Sequence, residues 1–354
     1  MVKNQSQSGN NYLEGNIAPL FIVGNSRSGT SVMAQMAHIL GNHPKVYTLI
    51  HEIHFFDELI DIKNLNRDIP EREAIRIYAY LLSIINESYL SKKNIKHYIP
   101  EAEQRIKEIN EKTPSDLYRD FLFYYTEKNK RRIPCEQTPR YLFYLKLIFE
   151  IFPDAKVLNM VRDPRDILLS QKNKWRLRFL GHRHIPLGES LRAWANYHPL
   201  LVSKLWNVSI KEAERFKHDN RVLMIRFEDL IDSPELTVKK VCDFAGIDYR
   251  PEMLEVPRVG SSFDKFDSEW RGIDSSKKQR WKRGGLNTAE IYICQWFNRE
   301  RLLRYGYDIE SVSPNPLVLA WSFIILPFKI ALAFLLNLKR FMNLKKVILK
   351  RLKS

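Results

Sequence analysis

The feature that most constrains this chain is a short apolar run that ends in a loop with two glycines. Residues 19–23 read P-L-F-I-V and residues 24–31 read G-N-S-R-S-G-T-S. An apolar run of this length before a turn signal predicts a buried parallel strand, here Leu20–Gly24. Thr30–Leu40 has apolar side chains at helical spacing, and Gly41 is a stop signal, so a helix is predicted there. Strand, glycine loop and helix in succession are typical of a phosphate-binding site.

The loop differs from the nucleoside triphosphate motif G-x-x-x-x-G-K-[ST] at one decisive position. Gly24 and Gly29 have the spacing of that motif, but Thr30 stands where the motif has lysine. A cation, Arg27, lies inside the loop instead, and its guanidinium group can contact two oxygens of an anion. The loop therefore predicts an anion site, with a plain glycine turn as the alternative. Its hydroxyl donors are Ser28, Thr30 and Ser31.

Further apolar runs alternate with helical patterns along the chain, which predicts an α/β fold. The strands are expected at Ile133–Cys135, Lys156–Val161 and Arg221–Phe227, and the helices at Tyr141–Phe152, Asp166–Trp175 and Glu235–Ala245. Strands separated by helices favour a central parallel sheet flanked by helices. The three cysteines, Cys135, Cys242 and Cys294, form no C-x-x-C pair, so buried thiols are expected rather than a disulfide framework or a metal site.

Two more segments place polar groups where ligands of such a sheet bind. Arg162 follows the predicted strand Lys156–Val161, and Ser170 lies in the next helix, so this pair suits a second phosphate group. Residues 51–57 read H-E-I-H-F-F-D, in which Glu52 and His54 share one face of an extended chain. A carboxylate beside an imidazole predicts a general base with a helper. The alternatives are a surface carboxylate and a packed imidazole.

These motifs resemble those of the sulfotransferases that use 3'-phosphoadenosine 5'-phosphosulfate (PAPS), in the Golgi-type carbohydrate and tyrosylprotein branch and its bacterial relatives. R-S-G-T-S (27–31) resembles the 5'-phosphosulfate loop of that family, and R-D-P-R-D-I-L-L-S (162–170) resembles its 3'-phosphate motif. E-I-H-F-F-D (52–57) and E-Q-T-P-R-Y (136–141) are similar to the E-x-H-F-F-D and E-K-T-P-x-Y segments of heparan-type enzymes. Residues 222–230 and 275–283 also resemble family blocks, so the likeness runs in order from residue 17 to residue 308.

The resemblance implies the P-loop-type sulfotransferase fold and a donor site for PAPS without a metal ion. Arg27, with the loop residues 28–31, would hold the 5'-phosphosulfate and meet the charge that develops as the sulfuryl group leaves. Arg162 and Ser170 would hold the 3'-phosphate. The C-terminal basic loop would close over the nucleotide through Arg280, Trp281 and Arg283, or Trp281 would be structural among surface charges.

The resemblance also implies the catalytic residues and leaves the acceptor open. Glu52 would take the proton of an acceptor hydroxyl, and His54 and Asp57 would orient the base or the acceptor. Gln137 stands where many relatives have lysine, which puts the acceptor class in doubt. A carbohydrate or glycolipid acceptor is expected. The competing hypotheses are a P-loop kinase, which would need lysine after Gly29, and a polybasic membrane-associated nucleotide-binding protein without catalysis.

The two ends of the chain differ in composition from the predicted catalytic domain at 17–310. Residues 1–16 contain no apolar segment and predict a disordered lead. Leu317–Leu336 is apolar and about 30 Å long as a helix, enough to cross a bilayer, but Pro327 and Lys329 interrupt it. Residues 337–354 hold seven Lys and Arg and no acid, with apolar residues at helical spacing. This basic amphipathic pattern suits anionic lipid.

The charge and the termini together predict where the protein works. The net charge of +16 indicates an anionic partner. Because seven of the positive charges lie in the tail, much of this excess is expected to face a membrane surface rather than nucleic acid. The N-terminus has no export signal, so the expectation is a peripheral or re-entrant anchor on the cytosolic face of a membrane. A single membrane span is the alternative, and so is a tail packed on the body.

Overall fold

The central sheet has five parallel strands in the order β2-β3-β1-β4-β5. The computed structural model describes residues 17–35, 37–87, 95–180, 185–258 and 267–351. The strands of the sheet are β1 (Leu20–Gly24), β2 (Val46–Thr48), β3 (Ile133–Gln137), β4 (Lys156–Val161) and β5 (Val222–Arg226). A separate antiparallel pair is formed by β6 (Pro257–Arg258) and β7 (Asp267–Arg271). The predicted parallel α/β sheet is therefore confirmed.

Helices cover both faces of the sheet. They are α1 (Thr30–Ala34), α2 (Glu71–Glu87), α3 (Ile99–Glu108), α4 (Pro114–Lys128), α5 (Leu145–Ile151), α6 (Pro164–Lys172), α7 (Leu187–Asn196), α8 (Pro199–Glu214), α9 (Phe227–Asp232), α10 (Pro234–Ala245), α11 (Thr288–Arg304) and α12 (Pro316–Arg351). Alternate residues of β1 pack against the helices on opposite faces of the sheet. Phe21 and Val23 pack with the helices of 71–152, whereas Leu20 and Ile22 pack with α1 and α10. Every residue of β1 is buried for this reason.

The helix predicted for Thr30–Leu40 is wrong in its length. It ends at Ala34, because Gln35 has ψ 159° and Ala37 takes the left-handed conformation with φ 61°. Ile39 and Leu40 are nevertheless buried in the layer that contains Met33. The apolar positions were therefore correctly placed in the core, but a turn rather than a helix carries the last of them there.

The C-terminal region forms one continuous helix. The predicted apolar segment and basic segment run together as α12 from Pro316 to Arg351, and Pro327 lies inside it. Its part Pro316–Leu338 is long and apolar enough to cross a membrane by length and composition, with a mean hydropathy of 2.2. The predicted disordered lead, 1–16, lies outside the described residues, as do the side chains of 339–354.

Candidate active site

The carboxyl ends of the three central strands bring the predicted motifs together. β1 ends at Gly24 and opens the glycine loop, β3 ends at Gln137, and β4 leads directly into Arg162. Because parallel strands present their carboxyl ends at one edge of the sheet, ligands of such folds bind there. Residues separated by more than a hundred positions in the chain therefore meet at this edge.

The glycine loop has a backbone that only these residues allow. Gly24 has φ 143°, and a Cβ atom there would lie 2.4 Å from the carbonyl oxygen of Met160. Gly29 has φ 99°, and its Cβ would lie 2.3 Å from the ring of Phe227. The Ser28 hydroxyl is buried and donates to the carbonyl of Asn25 at 2.7 Å, so it holds the turn closed. Compact backbone of this kind leaves room for an anion at the start of α1.

The two predicted anion-binding arginines lie side by side. Arg27 has φ 76°, and its Nε donates to the hydroxyl of Ser170 at 2.8 Å. Arg162 donates from Nη1 to the carbonyl of Arg27 at 3.2 Å. Burial and the nearby charge of Arg162 lower the pKa of Arg27 to about 10, although the Glu52 carboxylate opposes this shift. The guanidinium group of Arg27 therefore remains charged at neutral pH, and a bound anion would offset its repulsion with Arg162.

One N–H of the Arg162 guanidinium group has no acceptor among the described residues. Its Nη2 donates to the carbonyl of Lys277 at 2.7 Å, and its guanidinium lies 4.3 Å from the centroid of the Phe227 ring. Asp166 lies 3.7 Å away. Its Nε is buried and has no hydrogen-bond partner among the described residues. A buried N–H of this kind costs free energy unless a ligand accepts its hydrogen bond.

The second predicted segment forms a line of side chains in contact with one another. The Glu52 carboxylate lies 3.1 Å from Nε2 of His54, and Nδ1 of His54 lies 3.3 Å from Asp57, which also pairs with Arg140 at 3.1 Å. Burial disfavours the charged ring, but hydrogen bonds to Asp57 and Glu52 raise the pKa of His54 to about 10. The ring is therefore an imidazolium at neutral pH and donates to both carboxylates, so it positions Glu52 rather than acting as a base itself.

Gln137 connects the glycine loop to the carboxylate that was predicted to be the base. Its Nε2 donates to the Thr30 hydroxyl at 3.2 Å and lies 3.5 Å from Oε1 of Glu52. The side chain that departs from the family pattern is thus buried at the junction of the two motifs. An amide here supplies a donor to both groups without adding a positive charge.

Glu136 is a buried acid that the sequence motifs did not single out. Its Oε1 accepts a hydrogen bond from Thr138 at 2.6 Å, and its Oε2 has no partner among the described residues. Burial raises the pKa of Glu136 to about 8, despite the hydrogen bond from Thr138 and the charge of His54. It is therefore a neutral acid at neutral pH. Its position just before Gln137 in the E-Q-T-P segment was the available signal, but one sequence does not reveal that it is buried.

The C-terminal basic loop reaches the site through its backbone. Lys277, in this loop, accepts the hydrogen bond from Arg162, and Arg283 donates to the carbonyl of Ser276. The ring of Trp281 is buried under Arg165 at 4.1 Å, which fits the structural role considered for it. Direct contacts of Arg280, Trp281 and Arg283 with a nucleotide stay predictions.

One group of side chains in the described part of the chain has the spacing of metal ligands. His54, Asp57 and Glu58 each offer a ligand atom within 4.8 Å of the others. His54 and Asp57 are already paired with each other, and Arg140 competes for Asp57. The arrangement is that of an internal charge network rather than an open set of ligands.

The model of the sulfotransferase family matches residues 19–251. This chain belongs to the sulfotransferase family. The predicted family is therefore confirmed, whereas the narrower likeness to the Golgi-type branch stays a prediction. The matched stretch contains the glycine loop, the Glu52 segment and the Arg162–Ser170 motif, and it ends before the C-terminal basic loop.

Curated relatives resemble the chain at low identity. Sulfotransferase 2A1 of Rattus norvegicus is 29% identical over 149 residues, which cover 42% of this chain and 50% of that protein. The chain thus spans about half the length of the first curated relatives it matches. The omega-hydroxy-beta-dihydromenaquinone-9 sulfotransferase Stf3 of Mycobacterium bovis is 21% identical over 322 residues, covering 84% of this chain and 77% of that protein.

Solved structures support the fold. The sulfotransferase domain of the Synechococcus PCC 7002 olefin synthase superimposes with a TM-score of 0.52 at 20% identity, covering 83% of this chain and 96% of that domain. The sulfotransferase domain of the curacin biosynthetic pathway gives a TM-score of 0.50 at 18% identity, covering 83% and 99%. The predicted sulfotransferase fold is therefore confirmed.

Proposed function

We propose that this protein transfers a sulfuryl group from PAPS to a hydroxyl group. One observation carries the proposal, which is that the anion-binding groups and a carboxylate meet in one place. Arg27 donates to Ser170, Arg162 donates to the carbonyl of Arg27 in the glycine loop, and Gln137 connects this loop to Glu52. A donor site for an anion and a carboxylate that can take a proton thus lie next to each other. The family membership supports this reaction.

The donor fits the residues present. The glycine loop has no room for side chains at Gly24 and Gly29, and Arg162 has a buried N–H without an acceptor in the described part of the chain. The loop, Arg27, Thr30 and Ser31 would hold the 5'-phosphosulfate, and Arg162 with Ser170 would hold the 3'-phosphate. Two phosphate positions assigned in this way would suit PAPS better than ATP, whose three phosphates form one continuous chain.

The reaction would proceed by in-line displacement at sulfur. Glu52 accepts the proton of the acceptor hydroxyl as its oxygen forms a bond to sulfur. The bond from sulfur to the bridging phosphate oxygen breaks, which releases adenosine 3',5'-bisphosphate and leaves a sulfate ester. Arg27 faces the charge that develops on the bridging oxygen. The imidazolium of His54 keeps Glu52 oriented, because its other N–H is fixed by Asp57.

The acceptor proposed is a hydroxyl on a carbohydrate or glycolipid. The apolar helix α12 favours the glycolipid, because an acceptor with a lipid chain would be found where such a helix resides. The relative Stf3 is named for a lipid-soluble menaquinone derivative, which supports an acceptor of lipid character. An anionic membrane surface is the proposed partner of the tail. The side of the membrane on which the protein lies stays a prediction.

The test is direct turnover with labelled donor. The purified protein is incubated with ³⁵S-labelled PAPS and a polar lipid and glycan extract, and products are identified by mass spectrometry. Transfer of label to a lipid or glycan hydroxyl supports the proposal. Thermal-shift titration with adenosine 3',5'-bisphosphate, ATP and short DNA tests the donor site separately. Stabilisation by ATP alone would favour a kinase, and nucleotide binding without any transfer would favour a binding protein.

A further inference from the structure

Three polar residues of the C-terminal helix α12 lie where this helix contacts the body of the protein. Between Leu317 and Leu338 its polar side chains are Ser322, Lys329 and Asn337, at nearly heptad spacing. The carbonyl of Ser322 lies 2.8 Å from Nε2 of His198. The amide of Asn337 donates to the side chain of Asn196 at 3.2 Å. These positions therefore form one stripe that faces the end of α7.

Lys329 is the centre of this contact. Its Nζ donates to the carbonyl oxygens of Trp194 at 3.1 Å and Tyr197 at 3.0 Å, and it lies 4.2 Å from the centroid of the Trp194 ring. Carbonyls in the last turn of a helix attract cations because they carry the negative end of the helix dipole. The Lys329 ammonium group, whose charge would oppose membrane insertion, is thus hydrogen-bonded to carbonyl groups of the protein.

The opposite face of α12 is apolar and exposed. Within the described part of this helix, no residue of its most apolar stretch is buried. A helix that packs on a soluble body turns its apolar stripe inward, and α12 does the reverse. An outward face of this composition matches hydrocarbon rather than water. Its large exposed side chains include Leu317, Trp321, Ile324, Phe328 and Leu335.

Helix α7 continues this apolar surface. Leu187, Leu191 and Trp194 follow one another at helical spacing and are 62%, 50% and 43% exposed. Ser190 and Ala195, which flank this stripe on α7, are buried. The Trp194 ring, at the end of this stripe, contacts Lys329 of α12.

We propose that α7 and α12 form one membrane-docking surface for an anionic lipid bilayer, with α12 lying along the interface and attached to α7 through Lys329. The charge of the chain indicates which surface binds there, because seven Lys and Arg and no acid follow Leu338. Anionic headgroups attract such a segment, whereas a second copy of this chain would bring the same positive charge. The docking surface does not depend on the sulfotransferase reaction.

The surface lies close to the proposed site along the chain. Helix α6 carries Ser170, which contacts Arg27, and residues 173–186 connect α6 to α7.

The first test measures vesicle binding of full-length protein by sedimentation. Vesicles of phosphatidylglycerol with phosphatidylcholine are compared with phosphatidylcholine alone, and stronger binding to the anionic vesicles is expected. The double variant Leu187→Ser/Leu191→Ser should bind the anionic vesicles about tenfold more weakly or worse, because it removes two apolar side chains from the interface. The control is Leu236→Ser, on α10, whose side chain is 71% exposed.

Each result of this test has a defined meaning. Equal binding of the α7 double variant and the native protein would overturn the inclusion of α7. Equal binding to neutral and anionic vesicles would overturn the assignment of an anionic partner. Unchanged stabilisation of the double variant by adenosine 3',5'-bisphosphate serves as the check that it folds, and it separates failure of docking from failure of the proposed function.

The second test asks whether α12 stays on the body when the protein is on a membrane. The variant Asn196→Cys/Asn337→Cys is treated with a short bismaleimide, since these two side chains are in contact. Cross-linking in solution and on vesicles is expected, with each single variant as control. Cross-linking that disappears on vesicles would show that α12 leaves α7, which would overturn the flat arrangement in favour of a span. A dimer that dissociates in the α7 double variant, with vesicle binding unchanged, would assign the surface to a second copy.

Discussion

The buried acid Glu136 makes a quantitative prediction about stability and pH. Its pKa is raised by burial from 4.5 to about 8, so the folded protein keeps this proton where the unfolded chain has lost it. Below pH 4.5 both states are protonated and the contribution to stability is fully present. As the pH rises toward 8, the unfolded chain releases the proton and the folded protein does not, so stability falls.

The size of the effect follows from the shift. Each pH unit in this window costs about 1.36 kcal/mol, so roughly 3 kcal/mol is lost by pH 7. Glu136→Gln is a neutral isostere that can still accept the hydrogen bond from Thr138. Because its amide does not titrate, the variant does not lose this free energy of unfolding as the pH rises. With an unfolding entropy of about 2.1 cal/mol/K per residue, the variant should melt roughly 4 °C above the native protein at pH 7.

The assay is thermal unfolding by circular dichroism at several pH values between 5 and 7.5. The difference between Glu136→Gln and the native protein should be small at pH 5 and grow steadily toward pH 7.5. Glu252→Gln, which changes an exposed carboxylate, should show no such growth. A difference that stays constant across this range would refute the reasoning, because Glu136 would then ionise like an ordinary carboxylic acid.

Three further predictions concern the proposed reaction. Arg162→Ala should erase most of the preference for adenosine 3',5'-bisphosphate over 5'-AMP in calorimetry, since charge-assisted contacts are worth about 1.5–3 kcal/mol each; equal affinities in the native protein would contradict the assignment. Glu52→Gln should keep nucleotide affinity and lower turnover by about 10²–10⁴-fold, and normal turnover would place the base elsewhere. His54 has a pKa of about 10, so kcat/KM should show no step near pH 6.5, and such a step would show that the ring titrates in the free enzyme.

The sequence correctly predicted the strands whose side chains are buried on both faces of the sheet. β1 and β4 begin and end at the predicted residues, because runs such as 20–24 are apolar on both faces and end in turn signals. β2, Val46–Thr48, was not predicted, because three residues carry too little periodicity to stand out. The helix from Thr30 was drawn too long, since a turn that buries Ile39 and Leu40 has the same apolar spacing as a helix.

The motifs of the site were predictable, but their connections were not. The sequence placed Arg27, Arg162 and Glu52 in separate segments, each with a chemical role. It could not show that Gln137 contacts both Thr30 and Glu52, because the loop lies 107 positions from that side chain. Contacts of this kind depend on the strand order, which spacing along the chain does not reveal.

The position of β1 in the centre of the sheet has a consequence for synthesis of the chain. Leu20 pairs with Cys135 on one side and with Lys156 on the other, so β1 has no central-sheet partner until β3 has been made and keeps one unpaired edge until β4 has been made. At about 5–20 residues per second, the wait for both partners is on the order of ten seconds. During that time the apolar sequence L-F-I-V-G has at least one unpaired edge. We therefore expect the nascent chain to need a holding chaperone until β4 emerges, and early termination before Lys156 to yield aggregates rather than a smaller folded unit.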